Sequence, residues 1–169
     1  MPTHAERRAV PYTREQMFDL VADVERYPEF LPWCIACRVR SRPAPGMLVA
    51  EMMIGFKVFR EKFTSEVTLH RSDRVDVVYH EGPFRYLTNH WRFETDAKGM
   101  CVIDFYIDFE FHSRTLQVLI GKLFNEAVQR MVNAFEKRAS QLYAPMPGAV
   151  PDRRAGRSPA AASRQPPRQ

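Results

Sequence analysis

Glycine is scarce in this sequence, and the short motifs that mark many enzymes are missing. Only 7 of the 169 residues are glycine, and no glycine-rich loop is present that would cradle a nucleotide phosphate. The sequence also contains no His-Glu-x-x-His and no Gly-x-Ser-x-Gly, the motifs of zinc proteases and of serine hydrolases. We therefore predict a protein that is not an enzyme.

Cysteine is rarer still, with 3 residues in the whole chain. Cys34 and Cys37 form a Cys-x-x-Cys motif, which occurs in redox-active sites and as one half of a zinc site. The chain offers no second such pair, and no histidine lies at the spacing of a zinc finger. We expect free thiols in a reducing cytosol, with no metal and no cofactor.

Long hydrophobic runs are also absent. The longest candidate, Met47 to Phe56, is interrupted by Glu51, so the sequence predicts no membrane span. Residues 1–8 lack the apolar stretch of a secretory signal. We expect a cytoplasmic protein, and a peripheral contact with the inner face of the cell membrane is compatible with this expectation.

Charge is distributed unevenly along the chain. Residues 144–169 hold five arginines against Asp152 alone, a net charge of +4, which leaves +1 of the total +5 for residues 1–143. A nearly neutral body does not indicate a DNA-binding domain. The same 26 residues are rich in proline and poor in apolar bulk. We therefore predict a folded domain over 1–143 and a disordered tail over 144–169.

The stretch from Ser113 to Tyr143 has the pattern of one long amphipathic helix. Ser113 is a favourable N-cap residue, and about 30 residues would extend roughly 45 Å. Apolar residues recur every three or four positions and form one stripe, which consists of Leu116, Ile120, Leu123, Ala127, Met131, Phe135, Ala139 and Leu142. This stripe needs a broad apolar partner.

Strands precede this helix. A first strand is expected at residues 4–10, Thr13 to Gln16 has the pattern of a helix capping box, and Pro28 is expected to end the helix that follows. From residue 38 to residue 112 apolar and polar residues alternate, and short turns separate the runs. The order is therefore one strand, two helices, about six strands and the long helix. This order predicts an α+β helix-grip fold, in which a curved antiparallel sheet wraps around the C-terminal helix.

Two polar residues, Glu61 and Asn89, fall on the predicted apolar face of the sheet. They would meet the polar end of a ligand, contact each other, or reach water at a strand end. The aromatic and methionine residues of this face suit a lipid pocket and equally suit an ordinary core. The loop Tyr27–Trp33 and the turn Gly82–Phe84 would line the rim of such a pocket, touch a membrane, or plug the end of the core.

Several segments together fit the pattern of one known family. They are Tyr27–Cys34, Glu61–Ser65, Gly82–Phe84 with Leu87 and Trp91–Phe93, Asp104–Phe111 and Met131–Ala139. From about residue 3 to residue 143, in order and without large gaps, the sequence resembles the coenzyme Q-binding START-domain family of the polyketide cyclase/dehydrase-like superfamily. Cys37 and the basic tail lie outside this pattern.

The resemblance implies a START/Bet v 1-like helix-grip fold with a hydrophobic tunnel between the sheet and the long helix. It also implies binding of ubiquinone or a related polyprenyl lipid by a non-enzymatic carrier or chaperone that supports respiration and ubiquinone biosynthesis. The expected ligand-binding residues combine positions implied by the resemblance with the apolar face of the sheet. They are Leu31, Trp33, Met52, Phe59, Phe63, Phe84, Asn89, Trp91, Phe105, Phe109, Leu123, Ala127 and Met131.

Two other functions remain open at this point. The same family includes bacterial ribosome association toxins, so the alternative is a regulator that binds a ribosomal subunit and blocks subunit association. The arginine-rich tail suits this reading because it would neutralise phosphates, but it equally suits anionic membrane lipids. A cyclase on the same fold is disfavoured because no acid–base pair falls on the inward face.

Overall fold

The computed structural model describes residues 3–56 and 59–146, and residues 147–169 of the predicted tail lie outside this range. The elements in chain order are β1 (Thr3–Val10), α1 (Arg14–Ala22), a 3₁₀ helix (Val24–Glu29), β2 (Cys34–Ser41), β3 (Met47–Phe56), β4 (Phe59–His70), β5 (Arg74–Glu81), β6 (Phe84–Thr95), β7 (Cys101–Phe111) and α2 (Arg114–Leu142). This order of one strand, two helices, six strands and a long helix matches the prediction. In the described part of the chain, no helix is long and apolar enough to cross a membrane.

The strands form one antiparallel sheet in the order β1-β7-β6-β5-β4-β3-β2. Strands β2 to β7 make a meander, and β1 returns to pair with β7, with Thr3 opposite Asp108 and Val10 opposite Cys101. The sheet curves around α2, so the predicted helix-grip fold is confirmed. The convex face is polar, as expected, since Arg7 lies 2.7 Å from Glu94 and 3.6 Å from Asp104 across three neighbouring strands.

Both predicted helix starts are present. The Thr13 hydroxyl accepts a hydrogen bond from the Gln16 amide at 3.1 Å, and the Gln16 side chain accepts one from the Thr13 amide at 3.0 Å. Ser113 caps α2 by accepting from the Leu116 amide at 3.2 Å. Each cap satisfies amide groups that the first turn of a helix leaves without partners.

Two predicted boundaries are wrong. Helix α1 ends at Ala22 and not at Pro28, which lies inside the following 3₁₀ helix. Strand β2 begins at Cys34 and not at Arg38. The pairing register of β2 shifts between Cys34 and Ala36, so this strand carries one extra residue there. Such a bulge breaks the period of two and hides the start of the strand from pattern analysis.

Helix α2 leans towards one side of the sheet. Phe124 packs against Phe109 of β7 with 5.1 Å between ring centroids, and Arg8 of β1 lies 2.9 Å from Glu136. Further along α2, Phe135 contacts Trp91 of β6 at 5.0 Å. Because these contacts lie on the β1, β7 and β6 side, the space between α2 and the opposite strands, β3 and β4, is left open.

The predicted stripe of α2 is correct only in part. Leu116, Phe135 and Ala139 are buried, but Leu142 is 50% exposed and does not face the sheet. Phe124, Val128 and Val132 are buried although the predicted stripe omits them, since they belong to the row that packs on the sheet. Ile120, Leu123, Ala127 and Met131 form the neighbouring row, which is only partly buried.

Candidate ligand-binding cavity

A cavity of about 520 Å³ lies between α2 and the concave face of the sheet. Strands β3 to β7 supply one wall, and the partly buried row of α2 supplies the other. Glu126 and Arg130 also line the cavity, and their side chains are 60% and 62% exposed. The cavity therefore reaches the protein surface beside these two residues.

All of the ligand-binding residues expected from the sequence line this one cavity. The sheet and the loop before it contribute Leu31, Trp33, Met52, Phe59, Phe63, Phe84, Asn89, Trp91, Phe105 and Phe109, and α2 contributes Leu123, Ala127 and Met131. Their role in binding a ligand stays a prediction. Other inward residues of the same strands complete the wall, among them Ile54, Val67, Val77, Leu87 and Ile107.

Aromatic rings fix the shape of the cavity at two places. Phe84 stacks on Phe111 at 4.7 Å and meets the edge of Phe63 at 5.4 Å. At the other place, Trp91 lies 4.6 Å from Phe105 and 5.0 Å from Phe135. Edge-to-face and offset pairs of this kind add to the stability that burial provides. The cluster at Phe84 therefore forms a wall within the sheet, and the pair of Trp91 and Phe135 joins the sheet to α2.

The loop Tyr27–Trp33 lines the cavity at both of its ends. Tyr27 packs against Phe135 with 5.3 Å between centroids, and its hydroxyl donates a hydrogen bond to the Val21 carbonyl. Leu31 and Trp33 line the cavity from the other end of the same loop. Burial raises the pKa of the Tyr27 phenol far above its ordinary value, which keeps the group neutral.

The turn at Gly82 shows why Phe84 belongs to the wall. Gly82 has a φ of +144°, and a Cβ atom there would lie 2.6 Å from the Cβ of Phe63. Only glycine allows this close approach to β4. The approach brings Phe84 inward, where it is 4% exposed.

Asn89 has a structural role in the wall. Its amide nitrogen donates to the Tyr106 carbonyl at 2.9 Å, and its side-chain oxygen accepts from the Trp91 indole at 3.1 Å. These bonds fix the orientation of the Trp91 ring. Asn89 sits beside Val77, which pairs with Val67, six residues along β4 from Glu61. At about 3.3 Å per residue this separation is roughly 20 Å, so the predicted alternative of a direct contact between Asn89 and Glu61 is wrong.

Glu61 is the acidic residue of the sheet wall of the cavity. It faces inward opposite Ile54 of β3 and lines the cavity between Phe59 and Phe63. Its carboxylate makes no hydrogen bond or ion pair with any other residue that the structure describes. Arg130 is held by Glu126, 2.6 Å away on the same helix. The helical register that brings Glu126 and Arg130 to the cavity was not predicted, because both residues lie off the apolar stripe.

The Cys-x-x-Cys motif sits at the bulge of β2. The extra residue puts Cys34 opposite Ile54 and Cys37 opposite Met52, so both thiols face the concave side. Burial raises the pKa of Cys34 to about 11 and that of Cys37 to about 12. The thiolate is the reactive and metal-binding form. Both thiols, that of buried Cys34 and that of half-buried Cys37, are therefore protonated at neutral pH.

Most of the chain matches one known protein family. Residues 10–136 match the family described as "Polyketide cyclase / dehydrase and lipid transport". The fold is shared with a START superfamily protein of Mycobacterium smegmatis, at 17% identity and a TM-score of 0.73 over 83% of this chain and 99% of that one. An aromatase/cyclase of Streptomyces has the same fold at 14% identity and a TM-score of 0.73, over 85% and 96% of the two chains.

More similar relatives place the chain within this family. It is 34% identical to the "Ribosome association toxin RatA" of Escherichia coli K12, over 85% of this chain and 90% of the relative. It is 36% identical to the "Coenzyme Q-binding protein COQ10 homolog B, mitochondrial" of Xenopus laevis, over 83% and 59%. An 18 kDa protein of Caulobacter crescentus with a known solution structure is 34% identical, with a TM-score of 0.71 over 84% and 98%. The chain belongs to the START-like polyketide cyclase and lipid transport family.

We predict that the thiols of Cys34 and Cys37 are unreactive in the folded protein. At pH 8 both groups are almost fully protonated, because that pH lies well below the raised pKa values of about 11 and about 12. Iodoacetamide should therefore modify neither residue in buffer and both in denaturant, as counted by mass spectrometry. Rapid modification of either thiol in the folded protein at pH 8 would contradict the raised pKa values.

Proposed function

We propose that this protein binds ubiquinone or a related polyprenyl lipid in the cavity and acts as a non-enzymatic carrier or chaperone. In this role it supports respiration and ubiquinone biosynthesis. The observation that carries the proposal is the cavity itself, whose volume of about 520 Å³ lies within the range of small-ligand sites and whose wall is almost entirely apolar. The relative named as a coenzyme Q-binding protein supports the choice of ligand.

Burial of an isoprenoid tail provides most of the expected affinity. Each buried methylene contributes about 0.8 kcal/mol, so one five-carbon isoprene unit contributes about 4 kcal/mol before the cost of association. The aromatic rings of Phe63, Phe84 and Phe109 offer such a tail a continuous apolar surface. Specific polar contacts are therefore needed only at the head group.

The polar groups of the wall support a binding role over catalysis. The described residues that line the cavity include no histidine, cysteine or lysine. Asn89 is occupied by Trp91 and Tyr106, and Glu61 makes no hydrogen bond or ion pair with an acid or base among the described residues. General acid–base catalysis needs such groups positioned around the reacting atoms. We expect the protein to be cytoplasmic and to take its lipid from the inner face of the cell membrane.

We predict that Ala127→Asp abolishes lipid binding and preserves the fold. Ala127 is partly buried and faces the cavity, where an unpaired carboxylate would lose its hydration when an apolar tail enters. The affinity for a short-chain ubiquinone, measured by quenching of tryptophan fluorescence, should fall about 100-fold or more. The matched control is Asn125→Asp, which places the same group on the exposed side of α2.

Thermal unfolding distinguishes a loss of lipid binding from a loss of the folded structure. Both variants should melt close to the wild-type temperature, since neither residue belongs to the row that packs on the sheet. Trp91→Ala is a poorer test because Trp91 is 4% exposed and packs on Phe105 and Phe135, so its loss would destabilise the core by about 3–5 kcal/mol. Unchanged affinity in folded Ala127→Asp would refute the cavity as the lipid site.

The second candidate function is a regulator that binds a ribosomal subunit and blocks subunit association. The observation that favours it is the set of relatives named ribosome association toxin RatA, at 34–37% identity. Residues 147–169 carry all five arginines of the tail against Asp152. Phosphate contacts by such residues give binding that weakens steeply with salt.

We predict for this second function that the protein co-sediments with ribosomal subunits at low salt and is released at higher salt. Truncation after Met146 tests the tail without disturbing the last described contact, a hydrogen bond from the Met146 amide to the Pro11 carbonyl at 2.8 Å. If the tail carries the interaction, the truncated protein should stay in the supernatant. Absence of co-sedimentation of the full chain at low salt would reject the ribosomal function.

A further inference from the structure

Glu61 places a carboxylate at the open side of an otherwise apolar cavity. It lies two residues into β4, opposite Ile54 near the end of β3, on the side of the sheet from which α2 leans away. Phe59 and Phe63 flank it on the same face of the strand. Within residues 3–56 and 59–146 its carboxylate has no hydrogen-bond or ion-pair partner, so it can accept a hydrogen bond from a ligand.

A carboxylate discriminates between the two redox forms of a quinone. An ionised carboxylate only accepts hydrogen bonds. The head group of an oxidised quinone carries carbonyl and ether oxygens, which are also acceptors, and would be repelled by the charge. The reduced form carries two phenolic O–H groups, and each can donate to the carboxylate in a charge-assisted hydrogen bond.

Several hydrogen-bond donors of the wall that could contact a quinone carbonyl are already engaged within the protein. The hydroxyl of Tyr27 donates to Val21, and the indole N–H of Trp91 donates to Asn89. Arg130 is paired with Glu126 at the surface. Ser65 is buried on the same face of β4, but a hydroxyl both donates and accepts and so does not discriminate.

We propose that Glu61 makes the cavity selective for prenylated ring ligands that carry a phenolic O–H group over the oxidised quinone. This inference rests on the proposed function, because it concerns the head group of the same lipid. The ring then lies beside Ile54 and Phe59 at the open side, and the tail extends towards the aromatic wall at Phe84 and Phe109. The shared chemistry of the selected ligands is the phenolic donor, which a fully reduced quinol and a prenylated monophenol both have.

The size of the preference follows from the strength of the hydrogen bond. One charge-assisted bond gives a preference of about tenfold to hundredfold. For a two-electron couple, a tenfold preference for the reduced form raises the midpoint potential of the bound quinone by about 30 mV. The protein would then hold its ligand in the reduced state more strongly than the membrane does.

The test measures the affinities of four ligands by anaerobic equilibrium dialysis. They are decylubiquinol, decylubiquinone, the dimethyl ether of the quinol, which has no donor, and a decyl-substituted monophenol of the same ring. The full-length protein should bind the quinol and the monophenol about tenfold to hundredfold more tightly than the quinone and the ether. If the protein prefers decylubiquinol but binds the monophenol no more tightly than the quinone, the site is specific for the fully reduced head group.

Glu61→Gln provides the decisive variant. Its amide both donates and accepts, so the preference for the quinol should disappear while binding of the quinone is retained or improved. The matched control is Glu66→Gln on the opposite face of β4, where Glu66 lies 3.5 Å from His80, and this variant should keep the preference. Thermal unfolding checks that both variants are folded.

The outcomes separate this inference from the proposed function. Equal affinity of the wild-type protein for quinol and quinone, or an undiminished preference in Glu61→Gln, would overturn the role of Glu61 and leave lipid binding intact. Failure of the wild-type protein to bind any of the four ligands would overturn both.

Discussion

The contact of α2 with only one side of the sheet is the constraint on which the cavity depends. Phe124 against Phe109 and Phe135 against Trp91 are two fixed points on the helix, about 16 Å apart along its axis. The ion pair between Arg8 and Glu136 adds a third tie on the same side. These contacts hold the row of Leu123, Ala127 and Met131 away from β3 and β4.

Such a gap is unusual for a protein interior, which is normally packed as densely as an organic crystal. In engineered cavities the folded state loses about 24 cal/mol of stability for each Å³ of empty volume. A dry cavity of about 520 Å³ would therefore cost at most about 12 kcal/mol of folding free energy. That figure is comparable with the whole stability of an ordinary domain. Access of water beside Glu126 and Arg130 reduces the penalty, and an apolar ligand would remove more of it.

Much of this architecture could be predicted from the sequence because it depends on local patterns. The alternation of apolar residues in β3 to β7 determines which strand side chains face inward, and for this reason Met52, Phe59, Phe63, Phe105 and Phe109 line the cavity. The positions in the loop and on α2, Leu31, Trp33, Leu123, Ala127 and Met131, were implied by the family resemblance. The caps at Thr13 and Ser113 are likewise local hydrogen bonds between residues three apart.

The errors have tertiary causes. The bulge at Cys34–Ala36 interrupts the alternation of apolar and polar residues in β2. The start of this strand therefore cannot be recognised from a two-residue period. The choice between two adjacent rows of α2 depends on which strands the helix leans against, and the helical period alone does not contain that information. For the same reason the sequence did not predict Glu126 and Arg130 at the opening. The separation of Asn89 from Glu61 depends on the pairing register of β4, β5 and β6.

Glu61 and Asn89 looked equivalent in the sequence, since both are polar residues in apolar rows of the sheet. The structure separates them by their partners. Asn89 is satisfied within the wall by Trp91 and Tyr106, and Glu61 is not satisfied by any described residue. Partner bonds of this kind link residues on neighbouring strands, so they appear only when the register of the sheet is known.

Organic extraction of the purified, folded protein, followed by mass spectrometry for quinones, tests the central claim most directly. If the cavity is the lipid site, we expect a polyprenyl quinone or quinol in near-stoichiometric amount, because burial of the apolar tail would keep the ligand bound through purification. An empty extract, together with no uptake of added ubiquinone, would contradict the lipid-binding account.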